Sequence, residues 1–161
     1  MSMTSNINYR SPRSLAVLAV FLVVVIGAGA LIGYGTAPGA WYAGLQKPPF
    51  NPPNWIFGPV WFTLYVLIAI AGWRTFLAGR GGTAMMLWYG QMALNWLWSP
   101  VFFTLHLVWP AFAVIVAVFV LVVGFAINRW RADRLSAVAF VPYAAWVGFA
   151  AILNLSIAIL N

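Results

Sequence analysis

Five long apolar segments alternate with short polar connections along the chain. About 20 apolar residues in a helix span the hydrocarbon core of a bilayer, so each segment is long enough to cross a membrane. Helices satisfy their own backbone polar groups, which lipid requires. The predicted helices cover residues 14–35, 55–78, 84–105, 108–128 and 135–160. We therefore expect an all-α integral membrane protein, a single domain over residues 1–161 with five transmembrane helices in a bundle.

The first apolar segment has a second interpretation, a cleaved signal peptide. Arg13 precedes the segment, and Ala28-Gly29-Ala30 has the small residues of a cleavage site. The apolar run is longer than the 7–15 residues typical of a signal-peptide core, which favours an uncleaved helix.

Residues 36–54 connect the first two predicted helices and are rich in proline and aromatic residues; we call them the cap segment. Proline lacks a backbone N–H and fixes φ, so this segment cannot form one regular helix, and we predict an ordered surface loop. Trp41 and Tyr42 lie within it, and Trp61 and Tyr65 follow on one face of the second helix. Such rings, with one polar atom each, are typical of membrane interfaces and of pocket mouths.

The third predicted helix carries a polar stripe. Its members recur at spacings of three and four residues, so they share one helical face: Trp88, Gln91, Asn95, Trp98 and Phe102. Amide side chains are costly against lipid, so the stripe must face protein, water or ligand. The fifth helix has a similar face after Pro142, formed by Tyr143, Trp146, Ala150 and Asn154.

Composition and charge agree with a membrane location. The chain is 65% hydrophobic and 6% charged, and its net charge of +7 comes from scattered cations, which argues against a nucleic-acid partner. Five crossings place Lys47 on one side and seven arginines on the other: Arg10, Arg13, Arg74, Arg80, Arg129, Arg131 and Arg134. The positive-inside rule then predicts a bacterial inner membrane with a cytoplasmic N-terminus and an external cap segment.

Most familiar chemistry is excluded by residue counts. The chain has no cysteine and one histidine, which excludes thiolate chemistry and a multi-histidine metal site. Its one acidic side chain, Asp133, lies between arginines in a predicted loop, so no span offers a carboxylate for a proton relay. Two interpretations of the aromatic residues stay open: an interfacial belt, or a cavity that binds a flat apolar ligand with hydrogen bonds from Asn95 and Tyr65.

Three motifs resemble the translocator protein family, also called the peripheral benzodiazepine receptor or tryptophan-rich sensory protein family. The longest runs through the cap segment and second helix as Trp41-Tyr42-x-x-Leu45-x-Lys47-Pro48, Pro52-Pro53-x-Trp55-x-Phe57 and Trp61-x-x-Leu64-Tyr65. The others are Gln91-x-x-x-Asn95-x-x-Trp98-x-x-x-Phe102-Phe103 and Val141-Pro142-Tyr143-x-x-Trp146 with Leu153-Asn154. The resemblance implies a bacterial-type member that forms a homodimer and has a ligand cavity capped by the loop between helices 1 and 2.

The resemblance also implies ligands and site residues. Family members bind porphyrin, haem and drug-like lipophilic molecules, with no obligatory cofactor, and regulate tetrapyrrole metabolism or stress responses. The expected binding residues are Trp41, Tyr42, Trp61, Tyr65, Asn95, Trp98, Tyr143 and Trp146, with Lys47, Gln91, His106, Ala150 and Asn154 as further candidates. Two alternatives to binding alone are light- and oxygen-dependent porphyrin degradation, with Trp61 and Trp146 as the catalytic residues, and passive transport of tetrapyrroles or lipids.

Overall fold

The computed structural model describes residues 7–161, so residues 1–6 of the predicted domain lie outside the described part. Six α-helices and one π-helical turn follow each other, and residues 7–161 contain no β-strand. The helices are α1 (Pro12–Gly35), α2 (Ala40–Gly44), α3 (Asn54–Ala78), α4 (Thr83–Ser99), α5 (Val108–Arg129) and α6 (Arg134–Leu160); the π-helical turn is Pro100–Thr104. The architecture is a helical bundle of an integral membrane protein.

The long helices pack in the cyclic order α1, α3, α6, α5, α4, and α4 closes the ring against α1. The most extensive contacts join α5 to α6 and to α4, whereas α1 contacts α3 and α4 only along part of its surface. The core lies among α3, α4, α5 and α6, and its fully buried side chains include Ile68, Met85, Ile115, Phe125 and Phe140. Helix α1 is therefore an outer wall of the bundle.

Within residues 7–161, four helices are long and apolar enough to cross a bilayer: α1, α3, α5 and α6. The predicted third span, residues 84–105, is divided in the structure. Helix α4 has 17 residues and continues directly into the five-residue π-helical turn. Pro100 lacks a backbone N–H and disturbs the α-helical ladder; the N–H of Leu105 then donates to the carbonyl of Pro100 at 2.9 Å, an i to i+5 bond.

The cap segment contains a short helix, α2, that the sequence analysis did not predict. Its position is fixed by contacts with the rest of the bundle. The Tyr42 ring packs edge-on against Phe103, with centroids 5.3 Å apart. The side chain of Asn161 exchanges two hydrogen bonds of 3.0 Å with the backbone of Gln46. The cap segment is thus tied both to the π-helical turn and to the last residue of the chain.

Candidate functional site

A cavity of about 590 Å³ lies beneath the cap segment. Its wall comes from the cap segment, the π-helical turn and four long helices, and no residue of α5 lines it. Its principal aromatic and polar members are Tyr42, Phe57, Trp61, Tyr65, Asn95, Trp98, Phe102, Trp146 and Asn154. A mostly apolar cavity of this size with a few polar groups is typical of small-molecule sites.

Small residues of α1 form one side of the cavity. The backbone of Gly29 lies against the Tyr65 ring, and a Cβ atom at Gly29 would overlap that ring. Gly33 also lines the cavity, but a Cβ atom there would meet no other atom within 4 Å. Helix α1 therefore approaches α3 at Gly29 and leaves open space at Gly33.

The polar stripe of α4 bonds to both neighbouring walls of the cavity. The Tyr65 hydroxyl of α3 donates to Asn95 Oδ1 at 3.1 Å, and Asn95 Nδ2 donates to the Tyr143 hydroxyl of α6 at 3.0 Å. One turn further along α4, Trp98 Nε1 donates to Asn154 Oδ1 at 3.1 Å, and Asn154 Nδ2 donates to the carbonyl of Val108. Hydrogen bonds between α4 and its neighbours thus fix the polar groups of the wall.

Trp146 brings a hydrogen-bond donor that has no partner. Its indole packs on Phe57 and Phe149, with ring centroids 5.7 and 5.6 Å away. The buried Nε1 atom makes no hydrogen bond to any of the described residues. An unpaired buried N–H costs free energy, so the indole is held here by its aromatic contacts and not by a hydrogen bond.

The structure brings most of the predicted binding residues to one place. Tyr42, Trp61, Tyr65, Asn95, Trp98, Trp146, Ala150 and Asn154 all line the cavity. Trp146 does so from the first half of α6. Tyr143 and Gln91 do not line the cavity; both are fully buried behind Asn95.

Three other predicted residues lie in or beside the cap segment without lining the cavity. Trp41 stacks on the His106 ring at a centroid distance of 4.0 Å, outside the cavity wall. His106 itself is exposed and has a left-handed φ of 57°, where the chain turns from the π-helical turn into α5. Lys47 donates to the carbonyls of Ala43 and Leu45.

Charge is absent from the described residues that line the cavity. The nearest cation in the cap segment is Lys47, whose Nζ lies 4.6 Å from the centre of the Tyr42 ring. Burial raises the pKa of Tyr42, although its hydrogen bond to Asn51 lowers it in part. Tyr42 is therefore a neutral hydroxyl near neutral pH, and the cavity interior suits an uncharged molecule.

Several cavity residues were not predicted as ligand contacts. Phe57, Phe103, Leu153 and Ile157 line the wall, as do small residues of α1: Gly29, Ala30 and Gly33. Gly29 packs against Tyr65, whereas Gly33 leaves open space, and no sequence signal distinguishes the two glycines.

Comparison with known proteins identifies the family. The TspO/MBR family profile matches residues 19–160. The chain belongs to the TspO/MBR family. Protein CrtK of Rhodobacter capsulatus is 41% identical over 152 residues, which cover 92% of this chain and 94% of the relative. The tryptophan-rich sensory protein of Cereibacter sphaeroides is 35% identical over 89% of this chain and 92% of its own length.

Relatives also occur in animals. The translocator protein of Homo sapiens is 34% identical over 119 residues, which cover 71% of this chain and 70% of the human protein. Membership of the TspO/MBR family, together with several helices among residues 7–161 that are long and apolar enough to cross a bilayer, identifies an integral membrane protein. The resemblance that the sequence motifs indicated is therefore confirmed.

Proposed function

We propose that the protein crosses the bilayer five times and binds a tetrapyrrole, or a similarly flat lipophilic molecule, in the cavity beneath the cap segment. The observation that carries this proposal is the wall itself. Trp61, Trp98 and Trp146 line one space of about 590 Å³ that also holds the hydrogen-bonded pair Tyr65 and Asn95. Flat π-systems stack on such rings, and a few fixed polar groups orient them.

Five crossings are supported by joining α4 to the π-helical turn. Together they cover residues 83–104, which at about 1.5 Å per residue is long enough to span the hydrocarbon core. Five crossings place the seven arginines on one side, which supports a cytoplasmic N-terminus and an inner-membrane location in a bacterium. The cap segment and the mouth of the cavity then face the external side.

The absence of charged side chains among the described residues of the cavity wall restricts how a porphyrin can be oriented. Because no charged side chain among the described residues lines the cavity, the carboxylates of protoporphyrin would be costly inside it. Lys47 lies beside Tyr42, at the cap end of the wall. We therefore expect the macrocycle to lie inside and its carboxylates to point towards the cap segment and water.

Replacing Asn95 by leucine is expected to weaken binding of protoporphyrin IX by about tenfold, because hydrogen bonds to Tyr65 and Tyr143 are lost together. The measurement is a dark titration of protein in lipid nanodiscs, followed by quenching of tryptophan fluorescence. Asn128→Leu, an exposed position at the far end of α5, is the matched control and should bind like the unmodified protein. Quenching that does not saturate in the unmodified protein would contradict the proposal.

Light-dependent degradation of the bound porphyrin is a second candidate function, since Trp61 and Trp146 both line the cavity. Indole is the most easily oxidised side chain in the wall; the excited porphyrin would be the sensitiser and dissolved oxygen the oxidant. The variant with both Trp61→Phe and Trp146→Phe should keep most of its binding in the dark and lose porphyrin several times more slowly under illumination. Equal rates in both proteins would exclude this role for the two tryptophans.

A further inference from the structure

A continuous series of hydrogen bonds runs from the α4 backbone to the cavity wall. Gln91 Nε2 donates to the carbonyl of Trp88 at 3.0 Å, and the Tyr143 hydroxyl donates to Gln91 Oε1 at 2.7 Å. Asn95 Nδ2 then donates to the Tyr143 oxygen at 3.0 Å, and the Tyr65 hydroxyl donates to Asn95 Oδ1 at 3.1 Å. We call these four side chains the relay: Gln91, Tyr143, Asn95 and Tyr65.

The direction of every bond in the relay follows from its first member. A backbone carbonyl can only accept, so the amide group of Gln91 must turn its NH₂ towards Trp88 and its oxygen towards Tyr143. The Tyr143 proton is then committed to Gln91, and the Tyr143 oxygen must accept from Asn95 Nδ2. Asn95 consequently presents its oxygen to Tyr65, and the single hydroxyl proton of Tyr65 is committed to Asn95.

The two inner members of the relay have no access to a ligand. Gln91 and Tyr143 are both 0% exposed, and neither lines the cavity. Trp88, whose carbonyl accepts from Gln91, is itself held in place. Its Nε1 donates to the carbonyl of Ile68 at 2.9 Å, and its indole lies against Gly72 of α3. Gln91 and Tyr143 cannot touch a ligand, but they are hydrogen-bonded in series to Asn95 and Tyr65, which line the cavity. They can therefore determine whether the wall presents a hydrogen-bond donor or an acceptor.

We infer that Gln91 and Tyr143 are positioning residues that make Tyr65 a hydrogen-bond acceptor towards the cavity. This inference rests on the proposed function and deepens it by naming a chemical preference. With its proton committed to Asn95, the Tyr65 hydroxyl has only lone pairs for a ligand, so it favours a ligand N–H or O–H over an acceptor atom in the same position. The substrate class is thus a flat lipophile with a hydrogen-bond donor.

Removing the acceptor of Gln91 reverses this polarity. In Gln91→Met the buried Tyr143 hydroxyl retains one partner, Asn95, and its proton stays unpaired unless it donates to the Asn95 oxygen. The amide of Asn95 then turns over and donates to the Tyr65 oxygen, which frees the Tyr65 proton for the cavity. Gln91→Glu retains the original polarity, because a buried, neutral carboxyl group donates to the Trp88 carbonyl and still accepts from Tyr143.

The test compares two isosteric tricyclic probes, carbazole with an N–H donor and dibenzofuran with an acceptor oxygen. Equilibrium dialysis against protein in nanodiscs, corrected with empty nanodiscs, gives the ratio of the dibenzofuran Kd to the carbazole Kd. We expect this ratio to fall about fivefold in Gln91→Met, to fall in the same direction in Tyr143→Phe, and to keep the unmodified value in Gln91→Glu. Other donors in the wall are common to all variants and cancel in the comparison.

Met92→Leu is the matched control, because Met92 is buried in the same helix without belonging to the relay. It should retain the unmodified ratio, which separates the polarity effect from a general disturbance of α4. Saturable binding with the same ratio in Gln91→Met and the unmodified protein would overturn the inference and leave the proposed function intact. If neither probe binds the unmodified protein saturably, the inference fails, whereas the protoporphyrin IX titration decides separately whether the proposed function stands.

Discussion

Replacing Asp133 by alanine is expected to lower the free energy of unfolding by about 3 kcal/mol or more, because it leaves paired arginines without their counter-charge. The Asp133 side chain is 7% exposed and accepts from Arg74 Nη2 at 2.8 Å and from Arg74 Nε at 3.0 Å. Arg129 Nη2 lies 3.9 Å from the same carboxylate. These contacts join the end of α3 to the α5–α6 connection.

Thermal unfolding in detergent, followed by circular dichroism, measures this effect. Arg131→Gln is the control, since Arg131 is exposed in the same connection, and it should change stability by less than about 0.5 kcal/mol. A loss of similar size in both variants would mean that the ion pair contributes no more than an ordinary surface charge.

The lowered pKa of Asp133 predicts how the stability of the fold depends on pH in acid. Burial raises the pKa of Asp133, but hydrogen bonds from Arg74 and Ser136 lower it by more, so the pKa lies below the ordinary value of 3.8. A group with a lowered folded-state pKa stabilises the protein above its unfolded-state pKa, and this stability is lost as the pH falls through the folded-state pKa. Asp133 is the one acidic side chain in the sequence, so the unmodified protein should lose stability below about pH 4 and Asp133→Asn should lose much less.

Replacing Gly33 by leucine is expected to weaken binding of protoporphyrin IX by about tenfold to a hundredfold, because extra methylenes in an occupied site cost about 1–3 kcal/mol. Gly33 lines the cavity, and a Cβ atom there meets nothing within 4 Å, so the new side chain would occupy ligand space without displacing protein atoms. Leucine also favours helix over glycine, so α1 should not be destabilised.

Gly27→Leu is the matched control for that experiment. Gly27 belongs to the same helix and also has open space around its Cα atom, but it does not line the cavity. The same titration should give an unchanged affinity for Gly27→Leu. If both leucine variants lose affinity equally, the ligand binds to the lipid-facing surface of α1 rather than in the cavity.

The sequence predicted the helical membrane fold and much of the cavity wall for identifiable reasons. Long apolar runs have one stable form in lipid, and spacings of three and four placed Gln91, Asn95 and Trp98 on one face of α4. Periodicity shows which residues share a helical face, but it does not show how deeply each side chain is buried. Gln91 is therefore fully buried, Asn95 reaches the cavity, and only the packing of α6 distinguishes them.

Short structural elements that leave no periodic pattern in the sequence could not be predicted. Helix α2 has five residues, too few for a periodic signal, and it turns Tyr42 towards the cavity and Trp41 towards His106. The π-helical turn at Pro100–Thr104 has only five residues and no periodic signal either. Whether a glycine packs closely or leaves space depends on the neighbouring helices, which the sequence does not show. The open space at Gly33 was therefore not predictable.

The most direct test of the cavity as the binding site is a crystal structure of the protein in lipid with protoporphyrin IX bound. We expect the macrocycle beneath the cap segment, in contact with Trp61, Trp98 and Trp146, with its carboxylates towards Lys47. A macrocycle on the outer surface of the bundle, with the cavity wall unchanged and free of porphyrin, would contradict this account.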